Sequence, residues 1–99
     1  MRLTKRQIAA IRQATQEVYG DNSQVWLFGS RVDDSRRGGD IDLLIRPEIA
    51  SKSVGLMRKI QFLSKLERAM GERKIDVIIE TDDDSRPIIR VAHETGIRL

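Results

Sequence analysis

The stretch FGSRVDDSRRGGDIDLLI, residues 28–45, constrains the fold more than any other part of the chain. An apolar strand is interrupted at Gly29, mostly charged or glycine residues occupy positions 31–39, and a second strand begins with Asp40 and Asp42. Side chains at positions i and i+2 of a strand point to the same face, so the two aspartates are predicted to project together. Because like charges on one face repel, the pattern predicts a cationic ligand between them.

Hydrophobic periodicity predicts three helices and three strands, in the order helix, strand, strand, helix, strand, helix. The predicted helices span residues 4–19, 54–70 and 86–95, and the predicted strands span residues 24–28, 40–45 and 74–80. The helix between the second and third strands favours a parallel pair, and the short loop between the first two strands favours an antiparallel pair. We therefore expect one α/β (α+β) domain over residues 1–99, with a small mixed three-stranded sheet flanked by helices.

The long central helix carries one apolar stripe, which is predicted to be its buried face. The members of the stripe recur at helical spacing: Leu56, Ile60, Leu63, Leu66 and Met70. Phe62 and Ala69 flank it. Two interpretations of this pair stay open, because the two residues can either widen the core face or extend it into a surface for a partner.

A third aspartate is predicted to join the first two. In KIDVIIE, residues 74–80, Asp76 points away from its apolar neighbours, and a parallel neighbouring strand would bring it to Asp40 and Asp42. Oxygen ligands without cysteine or a nearby histidine suit Mg²⁺ or Mn²⁺ rather than Zn²⁺. The alternatives are a solvated strand start for the first two aspartates and a salt bridge from Asp76 to Lys74 or Arg73.

The Gly29-Ser30 turn supplies groups that can bind phosphate. Glycine lets the backbone approach a ligand closely, and amide N–H groups in such a turn can cradle phosphate oxygens. Ser30 adds a hydroxyl, and Arg31, Arg36 and Arg37 can neutralise further phosphate charge. An ordinary turn is the alternative. Carboxylates for metal ions opposite a phosphate-binding turn are the apparatus of phosphoryl or nucleotidyl transfer.

Together these segments resemble a known superfamily. FGS, nine further residues, DIDLLI, and KIDVII about thirty residues on are similar to the DNA polymerase beta-type nucleotidyltransferases, and the short chain resembles the minimal nucleotidyltransferase antitoxins among them. The resemblance covers roughly residues 20–80, and RPIIRVAHETGIRL is in keeping with it. One departure is Gly39, which stands where a serine is common in the family.

The resemblance implies a polymerase beta-like nucleotidyltransferase fold and a set of site residues. Gly29, Ser30 and Arg31 are implied to bind the triphosphate. The implied catalytic residues are also the ligands of two Mg²⁺ ions, for which Mn²⁺ can substitute: Asp40, Asp42 and Asp76.

The implied activity is transfer of a nucleoside monophosphate from a nucleoside triphosphate, with ATP as the first expectation, to a hydroxyl. For relatives of this size the resemblance suggests an antitoxin whose acceptor is a tyrosine of a HEPN-type toxin. A non-catalytic antitoxin or assembly subunit, acting by protein contact, is the alternative. An aminoglycoside-type transferase is less favoured because binding the drug needs more chain. Since the chain has little room for a domain that grips base and acceptor, we expect a partner or a second copy to complete the site.

Composition restricts the remaining classes. The 99 residues carry a net charge of +3, contain no cysteine and include only four aromatic residues. Disulfides and thiolate metal sites are therefore excluded, and with the basic residues scattered along the chain no direct binding to nucleic acid is expected. No apolar run is long enough to span a membrane, and the expected location is the cytoplasm.

Overall fold

The computed structural model of the protein describes residues 3–29, 41–48, 55–71, 74–82 and 84–99. Within these ranges it forms a small mixed α/β fold of three helices and four strands. The elements follow the chain as α1 (Lys5–Tyr19), β1 (Gln24–Phe28), β2 (Ile41–Arg46), α2 (Gly55–Met70), β3 (Ile75–Ile79), α3 (Pro87–Thr95) and β4 (Ile97–Arg98).

The strands form one mixed sheet in the order β3-β2-β1-β4. Strands β1 and β2 are antiparallel and β2 and β3 are parallel, which confirms both predicted pairings. The sheet has one strand more than the three predicted, because β4 pairs with the outer edge of β1. The Leu99 N–H donates to the Val25 carbonyl at 2.9 Å and extends this pairing. Two residues directly after a helix are too short a stretch to show the alternation that marks a strand.

The first helix is fixed at both ends by local chemistry. The Thr4 hydroxyl accepts a hydrogen bond from the Gln7 N–H, and the Gln7 side chain accepts one from the Thr4 N–H, which is a capping box. At the other end the helix stops at Gly20, whose φ of 108° suits glycine. The helix buries Ile11 and Val18 against the sheet core.

The sheet separates two apolar clusters, as the alternation of its side chains requires. One face is covered by α1 and α2, and the other by α3. The first cluster includes Val25, Leu27, Ile41, Leu43, Ile45, Val77, Phe62 and Leu66. The second contains Phe28, Leu44, Ile89 and Ala92, with Trp26 packed against it. Burial of each large apolar side chain stabilises the fold by about 1.5–3 kcal/mol.

The predicted stripe of α2 is correct only in its C-terminal half. Phe62 and Leu66 are fully buried, whereas Leu56 and Ile60 are 72% and 51% exposed. Phe62 thus belongs to the core, and Ala69 is exposed. The first turns of α2 lie beside β3, which is the edge strand of the described sheet. No further described element covers the apolar side chains of these turns.

None of the described helices combines the length and the apolar character that crossing a bilayer requires.

Candidate active site

The three chain segments that carry the predicted site residues meet at one edge of the sheet. Phe28, the last residue of β1, pairs with Asp42, and Asp42 pairs in turn with Asp76 of β3. The end of β1 and the starts of β2 and β3 therefore lie side by side, as predicted from the connections. Gly29 follows directly at the end of this row.

Asp42 and Asp76 project from the same face of the sheet. Their neighbours Leu43 and Val77 are buried in the core on the opposite face, so strand alternation directs both carboxyl groups to the face that α3 covers further along. Adjacent strands lie about 4.8 Å apart, which brings residues in register into close proximity. Asp42 is partly buried and Asp76 is exposed. Among the described residues, the Asp76 side chain is therefore open to solvent and that of Asp42 is only partly so.

Gly29 has a conformation and a position that only glycine tolerates. Its φ is 79°, in the left-handed region that side chains with a Cβ rarely adopt. A Cβ at this position would overlap the Asp42 Oδ2 atom and lie 3.1 Å from the Asp42 Cγ. The Gly29 backbone therefore packs directly against the carboxylate of Asp42, which is a predicted metal ligand.

Three predicted site residues lie outside the residues that the structure describes. These are Ser30, Arg31 and Asp40. Within the described ranges, no group of three histidine, cysteine or acidic side chains is arranged to hold a metal ion. The described part of the predicted site consists of Gly29, Asp42 and Asp76.

The donor chemistry of this edge fits a hard divalent cation. Asp42 and Asp76 offer carboxylate oxygens on one face, and these are the ligands that Mg²⁺ and Mn²⁺ prefer. The only histidine of the chain, His93, is engaged with other side chains. A cation between Asp42 and Asp76 would also offset the repulsion between their negative charges.

The far end of the same face holds an ionic cluster that sequence reasoning missed. Glu80 lies 3.7 Å from the Arg46 Nε atom and hydrogen bonds to His93. The His93 ring packs edge-on against Trp26, with a centroid distance of 4.5 Å. These contacts hold α3 against the sheet, and they engage the His93 ring in a hydrogen bond and in packing. Strand alternation places Arg46 and Glu80 on the face of the aspartates, but the position of His93 depends on long-range packing.

The acidic turn after β3 contains one carboxylate that is almost fully buried. The Asp84 side chain is only 5% exposed and lies 2.8 Å from the Arg86 Nη2 atom. The hydrogen bonds from Arg86 hold the pKa of Asp84 well below its usual range. Arg86 also donates to the Ile79 carbonyl at 2.8 Å, so this pair fixes the end of β3. Asp82, in the same turn, is exposed.

No protein-family model matches the chain, and no curated protein matches it at a significant level. The resemblance drawn from the sequence therefore stays a prediction.

Proposed function

We propose that the chain is a Mg²⁺-dependent minimal nucleotidyltransferase. It transfers a nucleoside monophosphate from a nucleoside triphosphate, with ATP as the first expectation, to a protein hydroxyl. The observation that carries this proposal is the row formed by Gly29, Asp42 and Asp76 at one edge of the sheet. A glycine turn packed against one of two aligned carboxylates combines the two requirements of nucleotidyl transfer, a metal site and a phosphate cradle.

Each residue has a separate role in the proposed site. Asp42 and Asp76, together with Asp40, hold the divalent ions. Gly29 and Ser30 bind the triphosphate through backbone amides and the serine hydroxyl, while Arg31 neutralises phosphate charge. When bound, the ions stabilise the negative charge that develops on the phosphate oxygens and on the departing pyrophosphate.

The reaction forms one bond and breaks another. The acceptor hydroxyl oxygen attacks the α-phosphorus and forms a new phosphorus–oxygen bond. The bond from the α-phosphorus to the oxygen that bridges to the β-phosphorus breaks, and pyrophosphate leaves with the electron pair. The hydroxyl proton passes to the Asp76 carboxylate and from there to water, which Asp76 can reach because its side chain is exposed.

The proposed biological role is that of an antitoxin in the cytoplasm. The acceptor is a tyrosine of a HEPN-type toxin, which also encloses the nucleotide. Asp76 is exposed, so the described residues leave this side of the site open to solvent. Exclusion of water by a partner would strengthen the electrostatic interactions there, and contact would make the transfer effectively unimolecular.

A second candidate function is a non-catalytic antitoxin that neutralises its partner by contact. The observation in its favour is the apolar surface at the start of α2. There Leu56, Met57 and Ile60 are between 51% and 72% exposed. Apolar side chains clustered on one exposed helix face are typical of protein contact surfaces.

The two functions are distinguished by incubating the chain with Mg²⁺, each labelled nucleoside triphosphate and its co-purifying protein, followed by intact mass measurement. Nucleotidyl transfer predicts a mass increase of one nucleoside monophosphate on the partner. Asp76→Asn should abolish that increase, and Glu67→Gln, a change at an exposed carboxylate of α2, should retain it. A stable complex with an unmodified partner for every nucleotide would instead establish the non-catalytic function.

A further inference from the structure

The outer edge of β3 presents backbone groups that can pair with another strand. The Ile41 N–H donates to the Lys74 carbonyl at 3.1 Å, and the Glu80 N–H donates to the Ile45 carbonyl at 2.8 Å. The even-numbered residues of β3 therefore hydrogen bond to β2. Because the direction of the backbone groups alternates along a strand, the N–H and C=O groups of Ile75, Val77 and Ile79 point away from β2.

Within the described part of the chain, one outward group has a hydrogen-bond partner. The Ile79 carbonyl accepts from the Arg86 guanidinium, which Asp84 holds in place. This contact closes the C-terminal end of the edge. No described residue pairs with the edge at Ile75 and Val77, next to Asp76, and an unpaired edge is a template for a further strand.

A groove adjoins this edge at Val77 and continues along Ile78 and Ile79 to the turn after β3. It has a volume of about 810 Å³, with Val77 and Ile79 on its floor. Leu56 and Lys59 of α2 lie on one side, and the turn after β3 lies on the other, with Thr81, Asp82, Asp84, Ser85 and Arg86. A backbone edge beside an apolar wall matches an extended polypeptide, which pairs through its main chain and buries alternate side chains.

The charge in the groove indicates which segment it would accept. Lys59, on the α2 side, forms no ion pair with any residue that the structure describes. On the other side the charge of Arg86 is matched by Asp84, and the exposed Asp82 adds a negative charge. An acidic residue on an incoming segment would therefore gain a partner in Lys59. Leu56, which is 72% exposed, would gain burial against an apolar side chain.

We propose that the acceptor in the proposed nucleotidyl transfer is an extended polypeptide segment that pairs with β3 as a fifth strand. A residue opposite Asp76 on the same face would lie about 4.8 Å away across the pairing, and its hydroxyl oxygen would be the nucleophile of the transfer described above. The residues before and after it would point to the other face, toward Leu56. The acceptor hydroxyl should therefore lie an odd number of positions from the apolar residues that anchor the segment. This inference rests on the proposed function for its chemistry.

The binding step is tested by nuclear magnetic resonance with the ¹⁵N-labelled chain. The probe is the peptide acetyl-Thr-Glu-Thr-Val-Tyr-Val-Thr-Val-amide, in which Glu and the valines all lie an odd number of positions from Tyr. The amide signals of Ile75, Val77 and Ile79 should shift on titration, and that of Leu43 in the sheet centre should not. A peptide with N-methylated alternate amides should leave all four signals in place, because it cannot pair with the edge.

A variant pair tests the groove wall. Leu56→Ser should weaken peptide binding about fivefold or more, while Val91→Ser, a change at an exposed apolar residue of α3, should leave it unchanged. With Mg²⁺ and ATP added, the tyrosine of the bound peptide should gain one adenylate, and a peptide with phenylalanine in its place should gain none.

The outcomes separate the two proposals. Edge shifts without adenylate transfer, together with an unmodified partner protein in the intact mass measurement described above, would retain the strand-pairing site and overturn the transferase. Transfer to the peptide without edge shifts, or equally with its N-methylated form, would retain the transferase and overturn strand pairing. Shifts of the chain's own β3 amides with protein concentration alone would show that a second copy occupies the edge, which also overturns the proposal.

Discussion

Gly29 lies so close to the carboxylate of Asp42 that no Cβ fits between them. The two residues are brought together by the antiparallel pairing of β1 with β2, in which Phe28 stands opposite Asp42. A substitution at Gly29 should therefore displace the Asp42 carboxylate, and a substitution at Asp42 should alter the packing of the turn.

Gly29→Ala should reduce both stability and metal affinity. The positive φ costs an alanine about 1–2 kcal/mol, and its methyl group would displace the Asp42 carboxylate. Gly71→Ala is the matched control, because Gly71 has a φ of 80° with no atom near the added methyl group. Both variants should lower the melting temperature, Gly29→Ala by more, and only Gly29→Ala should weaken Mn²⁺ binding in calorimetry. Equal effects of the two variants would show that the turn is independent of the site.

Asp76→Asn should weaken Mn²⁺ binding about tenfold or more, which is about 1.4 kcal/mol. Without metal, the melting temperature should stay the same or rise, because the change removes a charge that repels Asp42 in the adjacent strand. Glu67→Gln should leave the affinity for Mn²⁺ unchanged. If Asp76→Asn unfolds the chain and leaves metal affinity intact, the carboxylate is structural.

Tyr19→Phe should change the stability of the protein in alkali. Burial raises the pKa of Tyr19 to about 12, against about 10 in an unfolded chain. Because burial disfavours the phenolate in the folded chain but not in the unfolded one, the fold loses stability as the pH rises from about 10 to about 12. The variant lacks the phenol and should lose less stability over that range in urea unfolding. Because Tyr19 is the only tyrosine, phenolate absorbance reports its titration directly. Phenolate formation near pH 10 in the folded chain would contradict the prediction.

At neutral pH the same Tyr19→Phe change should cost little. The hydroxyl of Tyr19 is buried and has no hydrogen-bond partner among the described residues, while its ring stays packed 5.8 Å from that of Phe62. Removal of an unsatisfied buried polar group is close to neutral or stabilising. A large loss of stability at pH 7 would point to a bond from this hydroxyl.

Asp84→Asn should destabilise the protein at pH 7 and much less in acid. The pKa of Asp84 is lowered, first by hydrogen bonds from Arg86, so its contribution is present above the unfolded value of about 3.9. That contribution is lost as the pH falls below this value toward the folded pKa. The difference in melting temperature between wild type and variant should therefore be smaller at pH 2.5 than at pH 7. Asp82→Asn, at the exposed neighbour, should match wild type at both values.

The sequence was most informative where local chemistry decides the structure. The bounds of β1 and the C-terminal ends of all three helices were predicted correctly, because polar turns and glycines mark them. The shared face of Asp42 and Asp76 also followed from strand alternation and from the crossover helix. These features depend on neighbours in the chain.

The features that were missed depend on tertiary packing. The stripe from Leu56 to Met70 has helical spacing, but the structure buries Phe62 in the core and leaves Leu56 exposed. The reason is that only the C-terminal half of α2 packs against the core of the sheet. The burial of Asp84 likewise requires Arg86 to be fixed against Ile79. No local pattern carries that information.

The two-residue strand β4 has a consequence for the order of folding. It joins Ile97 and Arg98 to β1 across about 70 intervening positions, and closing so long a loop carries an entropic cost that two residues cannot offset. Strand β4 should therefore dock only after the other three strands and α3 have assembled, and it should open before the rest of the sheet in native-state hydrogen exchange. Until it docks, the outer edge of β1 is exposed to pairing with other chains, so the last step of folding is also the one that protects the molecule from aggregation.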